Sequence, residues 1–282
     1  MNDLMMKRRR FLSHAALAVA GLASRPVLAH GPEADLWPRW EAHDAQSTTR
    51  IDHAKWRRFL LRYLVVGEDG VNRVRYGAVS QADRRHLDNY IERLGELTIA
   101  EHNRGEQFAY WINLYNAVTL AVVLDHYPVA SMMDISISPG IFSRGPWGKK
   151  MIHSDGESLS LDDIEHRILR PIWRDPRIHY AVNCAAIGCP NLRRSAFTGA
   201  NVEPLLTIAA KDFINHPRGV DLRDGKLYVS SLYDWYAEDF GGGDAAIIEH
   251  LRGFARPRLA AALKEIDEIS GDAYDWSLND AS

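Results

Sequence analysis

The sequence predicts an α+β fold, with a small, mostly antiparallel sheet surrounded by helices and one central buried helix. Residues 106–124 are apolar in an almost unbroken run, and a helix that is apolar on nearly every face belongs inside a core. Residues 220–229 place strand-forming residues on both sides of Asp224-Gly225, which is a two-residue hairpin signal. No internal repeat or second linker interrupts residues 51–282. We therefore predict a single domain over that range.

Other helices are predicted on both sides of the central one. Helical spacing of apolar residues begins at Asp52, and Ser80-x-x-Asp83 resembles a capping box that opens the next helix. Ser160-x-x-Asp163 marks a further helix start, with the adjacent pair Glu165 and His166 on that helix. Later helices are predicted from Asn201, from Ser231 to Phe240, from Asp244 to Phe254 and after Pro257.

The region around the two cysteines is predicted to be a strand followed by a loop. Ile178, Tyr180 and Val182 alternate with less apolar residues, which is the period of a half-buried strand. Gly and Pro then break the backbone, so Cys184 and Cys189 are expected at the exit of the strand and in the loop after it. An earlier segment, residues 136–149, is rich in Gly, Pro and Ser and predicts a long loop that is either mobile or a lid.

The N-terminus has the pattern of an export signal. The basic run from Lys7 to Arg10 precedes a short apolar segment, and small residues at 27–29 are suited to cleavage. Arg8-Arg-x-Phe-Leu resembles a twin-arginine signal; the alternative is an ordinary secretory signal. We therefore expect a signal peptide at 1–29, a polar leading segment at 30–50, the twin-arginine translocase as an export partner, and a periplasmic or secreted location.

Composition and charge restrict the partners of the exported chain. The sequence has 46% hydrophobic and 25% charged residues, as soluble globular proteins do. Removal of residues 1–29 takes five of the 34 basic residues and one of the 37 acidic residues, which leaves 29 and 36 and a net charge of −7. Such a chain is not attracted to nucleic acid. No stretch after the signal is apolar for long enough to span a bilayer, so no stable membrane insertion is expected.

Six motifs in order resemble the family called domain of unknown function 547. They include Phe-Ala-Tyr-Trp-Ile-Asn-Leu-Tyr-Asn-Ala in the central helix and Asn-Cys through Cys-Pro around the cysteines. The resemblance covers essentially all of the chain beyond residue 50, and it implies a fold more than an activity. It also implies an exported bacterial protein, in agreement with the signal. The motifs occupy residues 108–117, 159–170, 175–179, 183–190, 235–240 and 274–279.

A catalytic thiol is one functional hypothesis. Cys184 is the candidate nucleophile, since a thiolate needs a neighbouring base, and His166 or His179 could serve as that base. On a regular strand, the five-residue separation of His179 and Cys184 places their side chains on opposite faces, which argues against a direct pair. An oxidising compartment also permits a Cys184–Cys189 disulfide, which a domain of this size would not need for stability.

The central helix carries a line of polar side chains, Glu106, Asn113 and Asn116, within a sector of about 80°. Buried polar groups need partners. These three residues either bond to neighbouring loop backbone or form one wall of a substrate pocket, and both possibilities stay open. Trp235 is a further candidate for ligand contact, although aromatic residues are more often part of the core.

Two functional classes follow. The first is a thiol-dependent hydrolase or transferase acting on a peptide- or amide-like substrate, with Cys184 as the nucleophile. The second is a non-catalytic module that binds a peptide, a glycan or a small thiol such as glutathione. No cofactor is predicted, and no metal, because His179-x4-Cys184-x4-Cys189 lacks zinc-site spacing. Neither a Gly-x-Ser-x-Gly elbow nor a glycine-rich phosphate loop is present in the sequence.

Overall fold

The computed structural model describes residues 31–140 and 144–281, so the predicted signal peptide lies outside the described residues. Within those ranges the chain is α+β, as predicted, and contains eight α-helices. A π-helix at Asp163–Leu169 leads directly into the fourth of them. The α-helices are α1 Ala54–Tyr63, α2 Gln81–Gly95, α3 Arg104–His126, α4 Arg170–Trp173, α5 Val202–Ile214, α6 Leu232–Trp235, α7 Asp244–Phe254 and α8 Pro257–Ala262.

Helix α3 is the central buried helix that the apolar run predicts. Asn103 caps its start by accepting a hydrogen bond from the Glu106 amide at 3.0 Å, and every side chain from Glu106 to Val123 is buried. Contrary to the expectation from sequence, this helix is long and apolar enough to cross a membrane, but 94% of its 18-residue apolar window is buried in the domain. That degree of burial is typical of a core helix, because the surrounding elements provide its apolar environment.

In the described residues the strands form three small sheets rather than one. The predicted hairpin is confirmed: β5 and β6 pair with Arg223 opposite Lys226 across Asp224-Gly225. Strand β7 adds to β6 in parallel, whereas the other pairs are antiparallel. The strands are β1 Leu64–Val66, β2 Asn72–Val74, β3 Ile152–Ser154, β4 Glu157–Leu159, β5 Val220–Arg223, β6 Lys226–Ser230 and β7 Ile269–Ala273.

The prediction of a strand before the cysteines is wrong, because residues Pro176–Tyr180 form a 3-10 helix. Asp175 caps this helix by accepting a hydrogen bond from the Arg177 amide at 2.9 Å, and Pro176 stands at its first turn, where a missing N–H costs nothing. The alternation of apolar residues has another origin. Ile178 packs into the larger core around α3, while Tyr180 packs into a second core around α5, α7 and the β5–β6 hairpin. The segment lies between two cores and buries residues on two sides.

The C-terminal segment closes over the loop that carries the cysteines. Its backbone makes an isolated antiparallel bridge from Leu278 to Ala186, and the Gly188 amide donates to Asp275 O at 2.8 Å. A Cβ atom on Gly188 would lie 2.9 Å from the backbone nitrogen of Asp275, so this close approach requires glycine. The last predicted motif, 274–279, therefore packs directly on the loop of the fourth motif.

Candidate functional site

A cavity of about 490 Å³ lies beside the cysteine loop, within the size range of small-ligand sites. Its wall combines the π-helix, the 3-10 helix at Pro176–Tyr180, the cysteine loop, α6 and the C-terminal segment. It also includes Gly31 and Pro32 from the leading segment and four residues of the predicted Gly/Pro/Ser loop. Those four are Ser138, Arg144, Trp147 and Gly148.

One wall of the cavity is aromatic. The rings of Trp235, Tyr274 and Trp276 contact one another, with centroids 4.7 to 5.5 Å apart, and Trp147 meets Trp276 at 5.8 Å. All four side chains are half-buried, so each packs on the fold and still presents a face to the cavity. Trp235, the sequence candidate for ligand contact, therefore lines the cavity. Trp276 and Tyr274 belong to the motif at 274–279, but the sequence did not indicate a role for either residue.

The cavity is also lined by titratable groups from the π-helix and from the residue before it. An i→i+5 hydrogen-bond pattern widens the helix at Asp163–Leu169, and such π segments are frequent at functional sites. Asp162, Glu165 and His166 line the cavity from this segment. Ser160 fixes the start of the segment, since its hydroxyl accepts from the Asp163 amide at 3.1 Å, as the capping motif predicts.

His179 is completely buried between two carboxylates at the edge of the cavity. Its Nε2 lies 2.6 Å from Asp239 Oδ2, its Nδ1 lies 3.6 Å from Glu165 Oε1, and its ring stacks on Tyr236 at 4.2 Å. Burial alone would lower the pKa of His179, but the hydrogen bonds and charges of Asp239 and Glu165 outweigh it and raise the pKa. The two flanking carboxylates therefore favour the protonated imidazole, in which Nε2 donates to Asp239.

The pKa values of these two carboxylates, Glu165 and Asp239, are lowered. Burial would raise the pKa of Glu165, but the adjacent imidazoles and the Tyr115 hydroxyl lower it below its ordinary value. Burial would likewise raise the pKa of Asp239, whereas His179 and Arg170 lower it. Both groups are thus ionised at neutral pH, and the buried cluster of Glu165, His179, Asp239 and Arg170 consists of paired charges.

The proton of the His166 ring lies on Nε2, the nitrogen nearer to Asp162. Its Nδ1 lies 3.1 Å from Arg170 Nη1, and since a guanidinium only donates, Nδ1 must accept. The Nε2 then carries the hydrogen and lies 3.7 Å from Asp162 Oδ1. Burial lowers the pKa of His166 to about 4, so the ring is neutral at pH 7.

Arg170 and Asp239 are functional neighbours that sequence reasoning missed. Arg170 Nε donates to Asp239 Oδ2 at 2.5 Å, Nη2 donates to Asp239 Oδ1 at 3.2 Å, and Nη1 also donates to the Pro32 carbonyl. Arg170 lies in the motif at 159–170 and Asp239 in the motif at 235–240, and the two residues are 69 positions apart. Only the fold reveals that they pair. The leading segment is part of this arrangement through Pro32 and through the Gly31 amide, which donates to Trp235 O at 3.0 Å.

Replacing Asp162 by Asn is expected to raise the melting temperature by a few degrees at pH 7.5, with the difference vanishing toward pH 4. Burial, together with the carboxylates of Glu165 and Asp163, raises the pKa of Asp162 to about 6. A group with a raised pKa stabilises the fold below its ordinary value of 3.8 and loses that contribution as the pH rises through 6. Since the side chain is 43% exposed, the cost is discounted to roughly 1 kcal/mol, or about 2–4 °C.

Thermal melts between pH 4 and pH 8 measure this effect. Asp267→Asn, at an exposed carboxylate, is the matched control and is expected to leave the melting temperature unchanged. A lower melting temperature of Asp162→Asn at pH 7.5 would contradict the inferred electrostatic cost.

Cys184 and Cys189 form a disulfide in the wall of the cavity. Cys184 is half-buried, whereas Cys189 is buried. The Tyr274 hydroxyl lies 3.0 Å from each sulfur, and the Cys184 amide donates to Cys189 Sγ at 3.0 Å. The cavity therefore brings together the three residues of the catalytic hypothesis, Cys184, His166 and His179. The 3-10 helix removes the parity argument against that grouping.

The polar line of α3 lies elsewhere: Glu106, Asn113 and Asn116 are not among the described residues that line this cavity. Asn116 accepts from the Asn183 amide at 2.8 Å and donates to Ala181 O at 2.9 Å. The other two side chains also bond to loop backbone, Asn113 to both polar groups of Phe197, and Glu106 to the amides of Ile51 and Gly199. The structure thus has the backbone-bonded arrangement rather than the predicted pocket wall, because the loops crossing α3 bring unpaired backbone groups.

Residues 99–214 match the family model described as "Protein of unknown function, DUF547". The match includes four of the six motifs, whereas those at 235–240 and 274–279 lie beyond it. No curated protein and no solved structure matches the chain. The matched segment carries α3, the π-helix and both cysteines, and it belongs to the DUF547 family.

Proposed function

We propose that this protein binds a short peptide-like ligand in the cavity, as a non-catalytic module. The observation that carries the proposal is that aromatic and charged side chains line the same cavity of about 490 Å³. Aromatic faces accept apolar groups and the flat faces of amides, whereas carboxylates accept hydrogen bonds from N–H donors.

The charges that line the cavity favour a peptide over a neutral glycan. Asp162 and Glu165 can receive an amine or amide N–H, while Arg144, which also lines the cavity, can receive a carboxylate. A ligand with both kinds of group, joined by an apolar part, matches these three features together. A neutral sugar would offer no charged group to Asp162 or to Arg144.

The geometry supports binding over a thiol-dependent hydrolase or transferase. Cys184 is bonded to Cys189 and has no thiolate in this form. The lone pair of His166 Nδ1 is occupied by Arg170, and the carboxylates of Asp239 and Glu165 favour the protonated form of His179, so neither ring is arranged to accept a thiol proton. The basic and apolar N-terminal segment further supports a periplasmic or secreted location, which cell fractionation would test.

Trp235→Ala is expected to weaken peptide binding about 10- to 100-fold, because it removes roughly 1.5–3 kcal/mol of aromatic contact. Isothermal titration of the mature protein with a panel of di- and tripeptides, and with oligosaccharides, measures the affinities. Trp173→Phe is the matched control: Trp173 stacks on Phe108 at 4.6 Å and is not among the described residues of the cavity.

The proposal fails if oligosaccharides bind and peptides do not, or if Trp235→Ala binds peptides as tightly as the unmodified protein. Far-UV circular dichroism of each variant shows whether a lost affinity reflects a lost fold. Binding that is retained in Trp173→Phe and lost in Trp235→Ala assigns the effect to the cavity.

A further inference from the structure

The two sulfurs in the cavity wall have unequal surroundings. Cys189 Sγ accepts a hydrogen bond from the Cys184 amide at 3.0 Å. The reverse bond is not made, because the Cys189 amide donates instead to Ala186 O at 3.1 Å. Cys184 is the more exposed of the two residues. Both residues line the cavity, but Cys184 is the more exposed, and Cys189 is the one with a backbone donor aimed at its sulfur.

The Tyr274 hydroxyl adds a second donor that can serve either sulfur. It lies 3.0 Å from both, and its single hydrogen can point to only one of them at a time. Burial raises the pKa of Tyr274 far above its ordinary value, so the hydroxyl keeps its hydrogen. If negative charge develops on Cys189, two donors are already in place around it. If it develops on Cys184, only Tyr274 is available among these contacts.

The loop that holds this arrangement is fixed by the body of the domain. Asn183 is bonded to Asn116 of α3, and its side chain accepts from the Ala185 amide at 2.9 Å and donates to Pro190 O at 2.7 Å. Ala185 has φ 62°, a left-handed conformation that costs a residue with a Cβ about 1 kcal/mol. Non-glycine residues in this region persist where the surroundings enforce them, often at functional sites.

We propose that Cys184–Cys189 is a thiol–disulfide exchange site and that the ligand of the cavity is a thiol-bearing peptide. This inference rests on the proposed peptide-binding function and names the class of peptide. The ligand thiolate attacks Cys184 Sγ, and Cys189 leaves as a thiolate that receives hydrogen bonds from the Cys184 amide and the Tyr274 hydroxyl.

The step balances without any further reactant. The ligand loses its thiol proton to water, and the lone pair of its sulfur forms the new bond to Cys184 Sγ. The electron pair of the Cys184–Cys189 bond goes to Cys189 Sγ. One disulfide is exchanged for another, and the protein is left with a mixed disulfide at Cys184 and a thiolate at Cys189. Exchange of this kind is faster when the leaving thiol has a low pKa, and two hydrogen-bond donors lower the pKa of a thiol.

Reduced glutathione is the probe. The oxidised mature protein is mixed with it at neutral pH, free thiols are blocked with iodoacetamide at timed intervals, and the native protein is analysed by intact mass and peptide mapping. We expect a glutathione adduct on Cys184 and an alkylated Cys189. Tyr274→Phe keeps the ring and removes the donor, so it is expected to slow adduct formation about tenfold, the effect of one hydrogen bond. Tyr228→Phe, outside the cavity, is the matched control and is expected to react at the unmodified rate.

Two results overturn the exchange site: an adduct found on Cys189, or a disulfide that reacts only after denaturation. Titration with S-methylglutathione, which cannot exchange, separates this inference from the function beneath it. Binding of S-methylglutathione without any reaction of glutathione removes the exchange site and leaves peptide binding intact. Equal adduct formation in Trp235→Ala and the unmodified protein, together with unaffected peptide affinities, contradicts the binding function instead.

Discussion

Asp239→Ala is expected to lower the free energy of unfolding by about 3–5 kcal/mol, the usual cost of removing one partner from a buried ion pair. Asp239 is the anion for two cations whose side chains are almost inaccessible, Arg170 at 5% and His179 at 1% exposure. Without it, the guanidinium keeps only neutral partners, and the imidazolium keeps Glu165 alone. The melting temperature is expected to fall by roughly 6–20 °C in a domain of this size.

The loss of stability caused by Asp239→Ala should depend on pH within a defined range. The pKa of Asp239 is lowered in the folded protein, so its contribution is complete above its ordinary value of 3.8 and is lost as the pH falls toward 2. The pKa of His179 is raised, so its contribution is complete below 6.5 and is lost as the pH rises through its folded value. The gap between variant and unmodified protein is therefore expected to be largest between about pH 4 and pH 6.5.

Urea unfolding at pH 3, 5.5 and 8.5 measures this gap. Asp234→Ala, at an exposed residue near the same motif, is the matched control and should change stability by less than about 0.5 kcal/mol. A loss below 1 kcal/mol in Asp239→Ala at pH 5.5 would show that the cluster is not held together by its charges.

The elements that local sequence determines were predictable, and the charge cluster was not. The apolar run of α3, the Asp224-Gly225 turn and the Ser160 cap are all signals contained within a few residues, and each forms the predicted structure. Arg170 and Asp239 lie far apart in the chain, and each is an ordinary charged residue in its own segment. Their pairing depends on how α4 and the segment after α6 meet, which no local pattern encodes.

The error at residues 176–180 has a similar cause. An alternation of period 2 predicts a strand when one face meets a core and the other meets water. Here Ile178 and Tyr180 are both fully buried, in different cores, and His179 between them is buried as well. The local signal that contradicts a strand was present, since Asp175-Pro176 is a helix cap followed by a residue suited to a first turn.

The loop at the cysteines was predicted and is present, but the state of its sulfurs depends on contacts from the end of the chain. Tyr274 reaches both sulfurs across a separation of 85 to 90 residues. The sequence alone left open whether Cys184 was a nucleophile or one half of a disulfide. The arrangement of the Cys184 amide and Tyr274 instead favours Cys189 as the sulfur that accepts charge.

The effect of Asn116→Leu likewise depends on the hydrogen-bond partners of Asn116 rather than on the local sequence pattern. We expect this change to cost about 2–6 kcal/mol, because it keeps the branched shape of the side chain but leaves the Asn183 amide and the Ala181 carbonyl buried and unpaired, at about 1–3 kcal/mol each. Since Ala181 and Asn183 belong to the segment just before Cys184, the ligand affinity of the cavity should fall together with stability. Thermal and urea unfolding, followed by titration with the peptide panel, measure both.

Thr119→Val is the matched control for Asn116→Leu on the next turn of α3. The Thr119 side chain is as completely buried, but its hydroxyl has no hydrogen-bond partner among the described residues. Replacing it with a methyl group of the same shape therefore removes an unsatisfied polar group, and stability is expected to stay level or rise by about 1 kcal/mol. If Asn116→Leu instead abolished peptide binding while its melting temperature moved by only a few degrees, Asn116 would have to contact the ligand. Two buried polar residues on one helix should thus respond in opposite directions, because only Asn116 has backbone partners.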